Sequence, residues 1–218
     1  MPHDPTHRWQ PALACLGGDP RAGHDAWAEL ERRYREPHRR YHGLAHAAAV
    51  AQDAEQLALD LPVRERAVVV LAAWAHDVVY DAIPGEDERR SAEWLQRWLT
   101  RAGVAKEHVD RAEALVLATA KHEAPEGDAA AVALLDADLA ILGATPAAYA
   151  TYADNVRQEY ARYDEATWAA GRAAVLENLL KRPKLYLSER ARSRWEAAAR
   201  RNLRAELTRW RPEHGDHR

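Results

Sequence analysis

Residues Arg66 to Tyr80, RAVVVLAAWAHDVVY, read as the most buried helix of the chain, and the adjacent His76 and Asp77 interrupt its apolar run. A carboxylate left unpaired in an apolar interior loses its hydration, so a protein pairs it, hydrogen-bonds it or gives it a metal. His3-Asp4 and His24-Asp25 repeat the dipeptide, but in polar stretches flanked by Gly and Pro. Context therefore singles out His76-Asp77.

Outward from this run the pattern stays helical. Upstream, Leu44, Ala47, Ala48, Ala51, Ala54, Ala58 and Leu61 keep the three-or-four spacing of one helix face, and Pro62 marks a break. A helix over Val68 to Tyr80 is predicted to stop at Ile83-Pro84-Gly85. Glu86, Asp87 and Glu88 then place negative charge in the first turn of the next helix, whose stripe is Ser91, Trp94, Leu95, Trp98, Leu99 and Ala102. Further helices are expected over Val109 to Thr119 and Val132 to Leu142. Thr145-Pro146 reads as a cap followed by proline at the first helical position, and Ser188 caps a final helix. Trp168, Val175, Leu176, Leu179 and Leu180 are expected to be buried. No strand-like alternation competes, so the fold class is all-α. Residues 1–22, rich in Pro, Gly and His, read as an irregular arm, 23–210 as a single domain, and 211–218 as a frayed tail.

Composition narrows the function. At 218 residues the chain suits one sizeable core, and a net charge of -3 with both signs interspersed gives no general attraction to nucleic acid or to an anionic membrane. The only cysteine, Cys15, excludes an internal disulfide framework and a cysteine zinc cluster and fits a reducing compartment. With no signal peptide and no run of about 18–20 apolar residues, a cytoplasmic protein is expected.

Successive helical residues project about 100° apart, so His76 and Asp77 straddle one direction and can both reach a cation between their helix and a neighbour. Further ligands must come from elsewhere. His42 and His46 are spaced i and i+4, but Gly43 favours a helix start near Leu44, which makes His46 the better-held ligand and leaves His42 at the cavity mouth. Downstream, Asp136 and Asp138 lie about 200° apart on an apolar helix, so only one faces the same cavity, and Asp138 is chosen.

These residues resemble the HD-superfamily metal-dependent phosphohydrolases, and most closely a bacterial subgroup of predicted HD phosphohydrolases. The likeness runs from about Asp25 to Leu207. It is carried by Arg40-Tyr41-His42-Gly43-Leu44-Ala45-His46, Trp74-Ala75-His76-Asp77-Val78-Val79-Tyr80-Asp81, Asp87-Glu88-Arg89-Arg90-Ser91-Ala92, Thr119-Ala120-Lys121-His122, Leu135 to Gly143 and the tract Gly171 to Tyr186. The resemblance implies an HD-domain-like helical bundle in which His46, His76, Asp77 and Asp138 bind one divalent metal ion. Carboxylate oxygen with imidazole suits Mn, Mg, Co, Fe or Zn. The implied activity is hydrolysis of a phosphomonoester or phosphodiester by a metal-bound hydroxide, with a nucleotide as the first candidate substrate, and dimerisation is common in the family.

Many nucleotidase relatives carry a glutamate three residues after the metal-binding Asp. Here that position is Tyr80, with Asp81 next as a substitute base. Asp87 also stands where close relatives often have Asn. His42 and His122 are candidates to line the site, and Lys121, Arg157, Lys181 and Arg182 to neutralise a substrate phosphate. Two other readings remain open. One is a non-catalytic nucleotide- or metal-binding module; the other is a di-iron HD oxygenase, which would need further histidines, and His108 reads as solvated.

Overall fold

A computed structural model describes residues 6–83 and 85–211, and among them the fold is all-α, without a strand. The chain divides into two compact units, Met1–Asp138 and Leu139–Arg218. The boundary falls where an α-helix ends at Asp138 and the chain tightens into a 3-10 turn.

The first unit contains α1 (Thr6–Cys15), α2 (Pro20–Tyr34), α3 (Leu44–Leu57), α4 (Val63–Ala75), α5 (Glu86–Arg101), α6 (Lys106–Thr119) and α7 (Ala129–Asp138). Helix α4 is its axis, with α1, α3, α5, α6 and α7 all packed against it. Every residue from Ala67 to Ala75 is buried, which explains why the run carries no polar face: a helix apolar all round belongs inside. A chain of indoles fills the space beside it, Trp27 meeting Trp74 edge-to-face at 4.9 Å, and tilted pairs placing Trp9 6.3 Å from Trp27 and 6.2 Å from Trp94, and Trp94 6.4 Å from Trp98.

The N-terminal region departs from expectation. Residues 6–15 form α1 instead of an irregular arm, and α2 already begins at Pro20 behind an Asp19 cap. Trp9 and Leu13, one turn apart, are fully buried, and Trp9 Nε1 donates to Gly23 O at 3.1 Å. The buried set Trp9, Ala12, Leu13 and Leu16 keeps helical spacing, but it spans barely two turns and is interrupted by Pro11, so it does not stand out among the surrounding Pro and Gly. Residues 1–5, like the tail from 212, lie outside the described residues.

Helix α4 also ends earlier than predicted, at Ala75 rather than near Tyr80. The next turn is pulled away by other partners: Val78 N closes a short turn onto Ala75 O at 3.0 Å, Val79 N donates to Ser91 Oγ at 3.0 Å, and Arg39 takes the carbonyls of Asp77 and Val78. His76 and Asp77 therefore occupy the C-terminal end of α4, not its middle. Buried Asp87, in the first turn of α5, accepts from Asp81 N and Ile83 N, each at 2.9 Å, and fixes the loop that leads from α4 into α5.

The second unit contains the 3-10 turn Leu139–Gly143, α8 (Pro146–Glu159), α9 (Glu165–Lys181), α10 (Glu189–Ala191), a π-helical turn (Arg192–Glu196) and α11 (Ala197–Trp210). Thr145 and Ser188 cap α8 and α10 as the sequence suggests, with Ala148 N and Ala191 N donating to their hydroxyls at 3.4 and 3.1 Å. Its centre is polar: Arg172 forks onto Glu206 through Nε at 2.8 Å and a terminal nitrogen at 2.9 Å, and Tyr149 Oη donates to the same carboxylate at 2.5 Å. Burying this pair without such saturation would be strongly unfavourable. Gly143 lies so close to Trp195 that a Cβ there would stand 2.5 Å from the Trp195 Cβ. Val175, expected inside, is about half exposed.

Candidate metal centre

Three helix ends in the first unit supply the site. His46 lies in the first turn of α3, His76 and Asp77 leave the C-terminus of α4, and Asp138 is the last residue of α7. Nε2 of His46 and Nε2 of His76 are 3.2 Å apart. Asp77 Oδ2 stands 3.4 and 3.1 Å from those two nitrogens, and Asp138 Oδ1 stands 3.4 and 3.3 Å from them. Donors bonded to one cation at about 2.1 Å lie about 3.0 Å apart in an octahedron and about 3.4 Å apart in a tetrahedron. The five distances fall in that interval. The ligand atoms of His46, His76 and Asp77 all lie within 4.8 Å of one another, and this group can hold a metal ion.

The tautomer of His76 follows from its other nitrogen. Nδ1 is 2.7 Å from Ala73 O, and a carbonyl only accepts, so Nδ1 carries a proton and Nε2 faces the cluster. Burial is the largest influence on all four groups, and it opposes charge in each. The opposite charges outweigh it: the carboxylates of Asp77 and Asp138 hold His76 well above the ordinary imidazole range and raise His46. The imidazoles in turn hold both carboxyls well below the usual carboxylate range. Protons on the imidazoles thus do the work that a cation would take over.

Around these four, His122 Nε2 donates to Asp138 Oδ2 at 2.9 Å, which fixes the carboxylate's second oxygen. His122 reaches it from beyond α6 with φ +51°, a left-handed conformation uncommon outside glycine. The His42 ring stacks on Tyr80 at 4.1 Å and meets His46 edge-on at 5.6 Å, and Tyr41 lies 4.6 Å from His46. The side chains of Asp77 and Asp138 keep 17% and 14% exposure against 1% for His76, so the accessible side of the cluster is its carboxylate side.

The exposed Asp81 carboxylate takes a 2.6 Å bond from Arg90 on α5. Lys121 is exposed beside His122. Arg157, Lys181 and Arg182 belong to the second unit, where Arg157 donates to Tyr160 O and Tyr163 O and lies 5.3 Å from the Trp168 ring centre. The Arg182 carbonyl accepts from Arg200 at 2.8 Å. Asp136 is buried on α7, while Asp138 reaches the histidines. His108, read as solvated, keeps only 15% side-chain exposure.

Arg39 was not foreseen. It is buried, and its guanidinium donates to His42 O at 2.9 Å, Asp77 O at 2.6 Å and Val78 O at 3.0 Å. Its only sequence signal is an arginine directly ahead of Arg40-Tyr41-His42, in a stretch that Pro37 marks as a loop. Comparisons with protein-family models, curated proteins and solved structures return no match.

Proposed function

We propose that the protein is a metal-dependent phosphohydrolase of the HD type, cleaving a phosphomonoester or phosphodiester, with a nucleotide as the first substrate to test. The observation that carries the proposal is a pair of imidazole nitrogens 3.2 Å apart, with a carboxylate oxygen of Asp77 and one of Asp138 each standing 3.1 to 3.4 Å from both, the four residues coming from three separate helix ends. A structural metal is usually closed on all sides by protein, whereas the residual exposure of Asp77 and Asp138 leaves this cluster approachable. His46, His76, Asp77 and Asp138 would hold one divalent cation, Mn, Mg, Co, Fe or Zn. Such a cation acidifies a water at neutral pH and offsets charge on a phosphoryl oxygen. His122 holds Asp138 in place, and the His42–Tyr80 stack gives an incoming ester a flat wall. A cytoplasmic setting is part of the same reading, supported by the single, unpaired Cys15.

One observation favours a second reading, a nucleotide- or metal-binding module without turnover. Tyr80 replaces the acidic residue of many relatives, and Asp81 is engaged by Arg90. The deciding experiment is elemental analysis of the purified protein beside a screen of phosphomonoesters and phosphodiesters, with His76→Ala and Asp77→Asn run in parallel. Hydrolysis at about one metal per chain, lost with the metal in both variants, supports the hydrolase. Stoichiometric metal with no turnover across the panel refutes it in favour of the module.

A further inference from the structure

We infer that Arg39 is the positioning residue of the centre, setting the directions from which Asp77 and the start of α3 approach the metal. This rests on the reading that the His46, His76, Asp77 and Asp138 cluster binds a divalent cation. The Arg39 side chain is 1% exposed, yet it lies outside every helix, between α2 and α3. A guanidinium so placed must find acceptors, and three of those it finds are main-chain carbonyls flanking the cluster.

Each bond has a geometric consequence. The 2.6 Å bond to Asp77 O fixes the peptide plane that follows Asp77, and with it the direction of the Asp77 side chain. The 3.0 Å bond to Val78 O holds the chain out of helix just after the pair, where the unpaired carbonyls of α4 concentrate partial negative charge. The 2.9 Å bond to His42 O ties down the residue ahead of Gly43, from which α3 sets out with His46 in its first turn. One planar group thereby spans the two segments that contribute His46, His76 and Asp77. Its own orientation is set by the Tyr34 and Tyr80 rings, whose centres lie 5.0 and 5.7 Å from the guanidinium carbon, and by Glu36, which accepts from Nε at 3.3 Å. Lysine has the charge but not the fork, because a single nitrogen cannot reproduce donors spread over a planar group. Arg39 touches none of the four ligand atoms, so its action on the metal runs entirely through backbone.

The test compares wild type, Arg39→Lys and Arg39→Gln. Co2+ affinity is measured by titration, the visible absorption of the cobalt protein reports ligand geometry, and far-ultraviolet circular dichroism of the apoprotein reports the fold. Expected are helical apoproteins, a loss of about 10–100-fold in Co2+ affinity in both variants and an altered cobalt band, the range found when groups that orient metal ligands are removed. Full recovery of affinity and spectrum in Arg39→Lys overturns the proposal, since charge alone would then suffice. Wild-type affinity and spectrum in both variants overturns it too, as does unfolding of both apoproteins, which would assign Arg39 to the fold and not to the ligands. A wild-type protein that takes up no Co2+ instead overturns the metal reading on which the inference stands.

Discussion

Replacing Asp138 with asparagine keeps the volume of the side chain and removes one negative charge from a position 3.4 and 3.3 Å from two imidazole nitrogens. A cation present at about a thousand times its dissociation constant stabilises the native state by about 4.1 kcal/mol. At about 2–4 °C per kcal/mol for a chain of this size, wild type should gain roughly 8–16 °C in melting temperature. Removal of a direct ligand should cost at least the upper end of the 10–100-fold range for groups that merely orient ligands, so at least about 2.7 kcal/mol. At the same cation concentration Asp138→Asn then gains only about 1.4 kcal/mol, or roughly 3–6 °C. The assay is calorimetric melting of each protein with and without Mn2+, reading the increment so that apoprotein differences cancel. Asp136→Asn is the control: Asp136 is buried on the same helix, so its baseline shifts while its increment stays at the wild-type value. A full increment in Asp138→Asn, or a collapsed one in Asp136→Asn, would refute the assignment of Asp138 to the metal.

Four further outcomes are expected. Because His76 is held well above and His46 above the imidazole value of 6.5, cation uptake near pH 6.5 should release between one and two protons, measurable by titration calorimetry in buffers of different ionisation enthalpy; no proton release would contradict it. In the apoprotein, stabilisation by the raised histidines is complete below 6.5 and is lost as pH rises through their native values, while that from Asp77 and Asp138 is complete above 3.8 and is lost as pH falls through their depressed ones. Thermal stability should therefore be greatest between those limits, and added cation should abolish the alkaline loss. His122→Asn retains a residue that tolerates φ +51°, whereas His122→Ala does not, so the alanine variant should melt as if about 1 kcal/mol less stable than the asparagine one while both lose about tenfold in Co2+ affinity; equal melting would remove the strain argument. Gly143→Ala forces a Cβ to within 2.9 Å of the Trp195 backbone and should cost about 3 kcal/mol in urea denaturation, a result excluded by an unchanged midpoint.

The helical character of the chain was readable because its cues are local: proline breaks, the Thr145 and Ser188 caps, and apolar spacing. Position along α4 was less so. Apolar residues continue from Ala67 through Val79, interrupted only at His76-Asp77, and nothing within that run shows that the helix stops at Ala75. Partners distant in sequence, Arg39 and Ser91, withdraw the hydrogen bonds that would have extended it. The grouping of His46, His76, Asp77 and Asp138 was anticipated from side-chain chemistry together with the family resemblance, which survive an error in the helix end because both residues of the His-Asp pair moved to it together. The ion pair of Asp81 was not legible for a different reason. Its partner Arg90 is nine residues away on α5, and only the folded loop brings them to 2.6 Å. Arg39 escaped notice because a buried guanidinium whose acceptors include three main-chain carbonyls leaves no complementary residue to find by spacing.

The row of indoles beside α4 has an optical consequence. Trp74 is two residues from His76, and Trp27, Trp9, Trp94 and Trp98 follow it at centre separations of 4.9 to 6.4 Å. Excitation absorbed anywhere along such a row passes between rings, so a coloured or paramagnetic ion seated beside His76 would drain light from several tryptophans at once. Ultraviolet emission should therefore dim as Co2+ or Cu2+ enters and recover on chelation, giving a label-free gauge of occupancy.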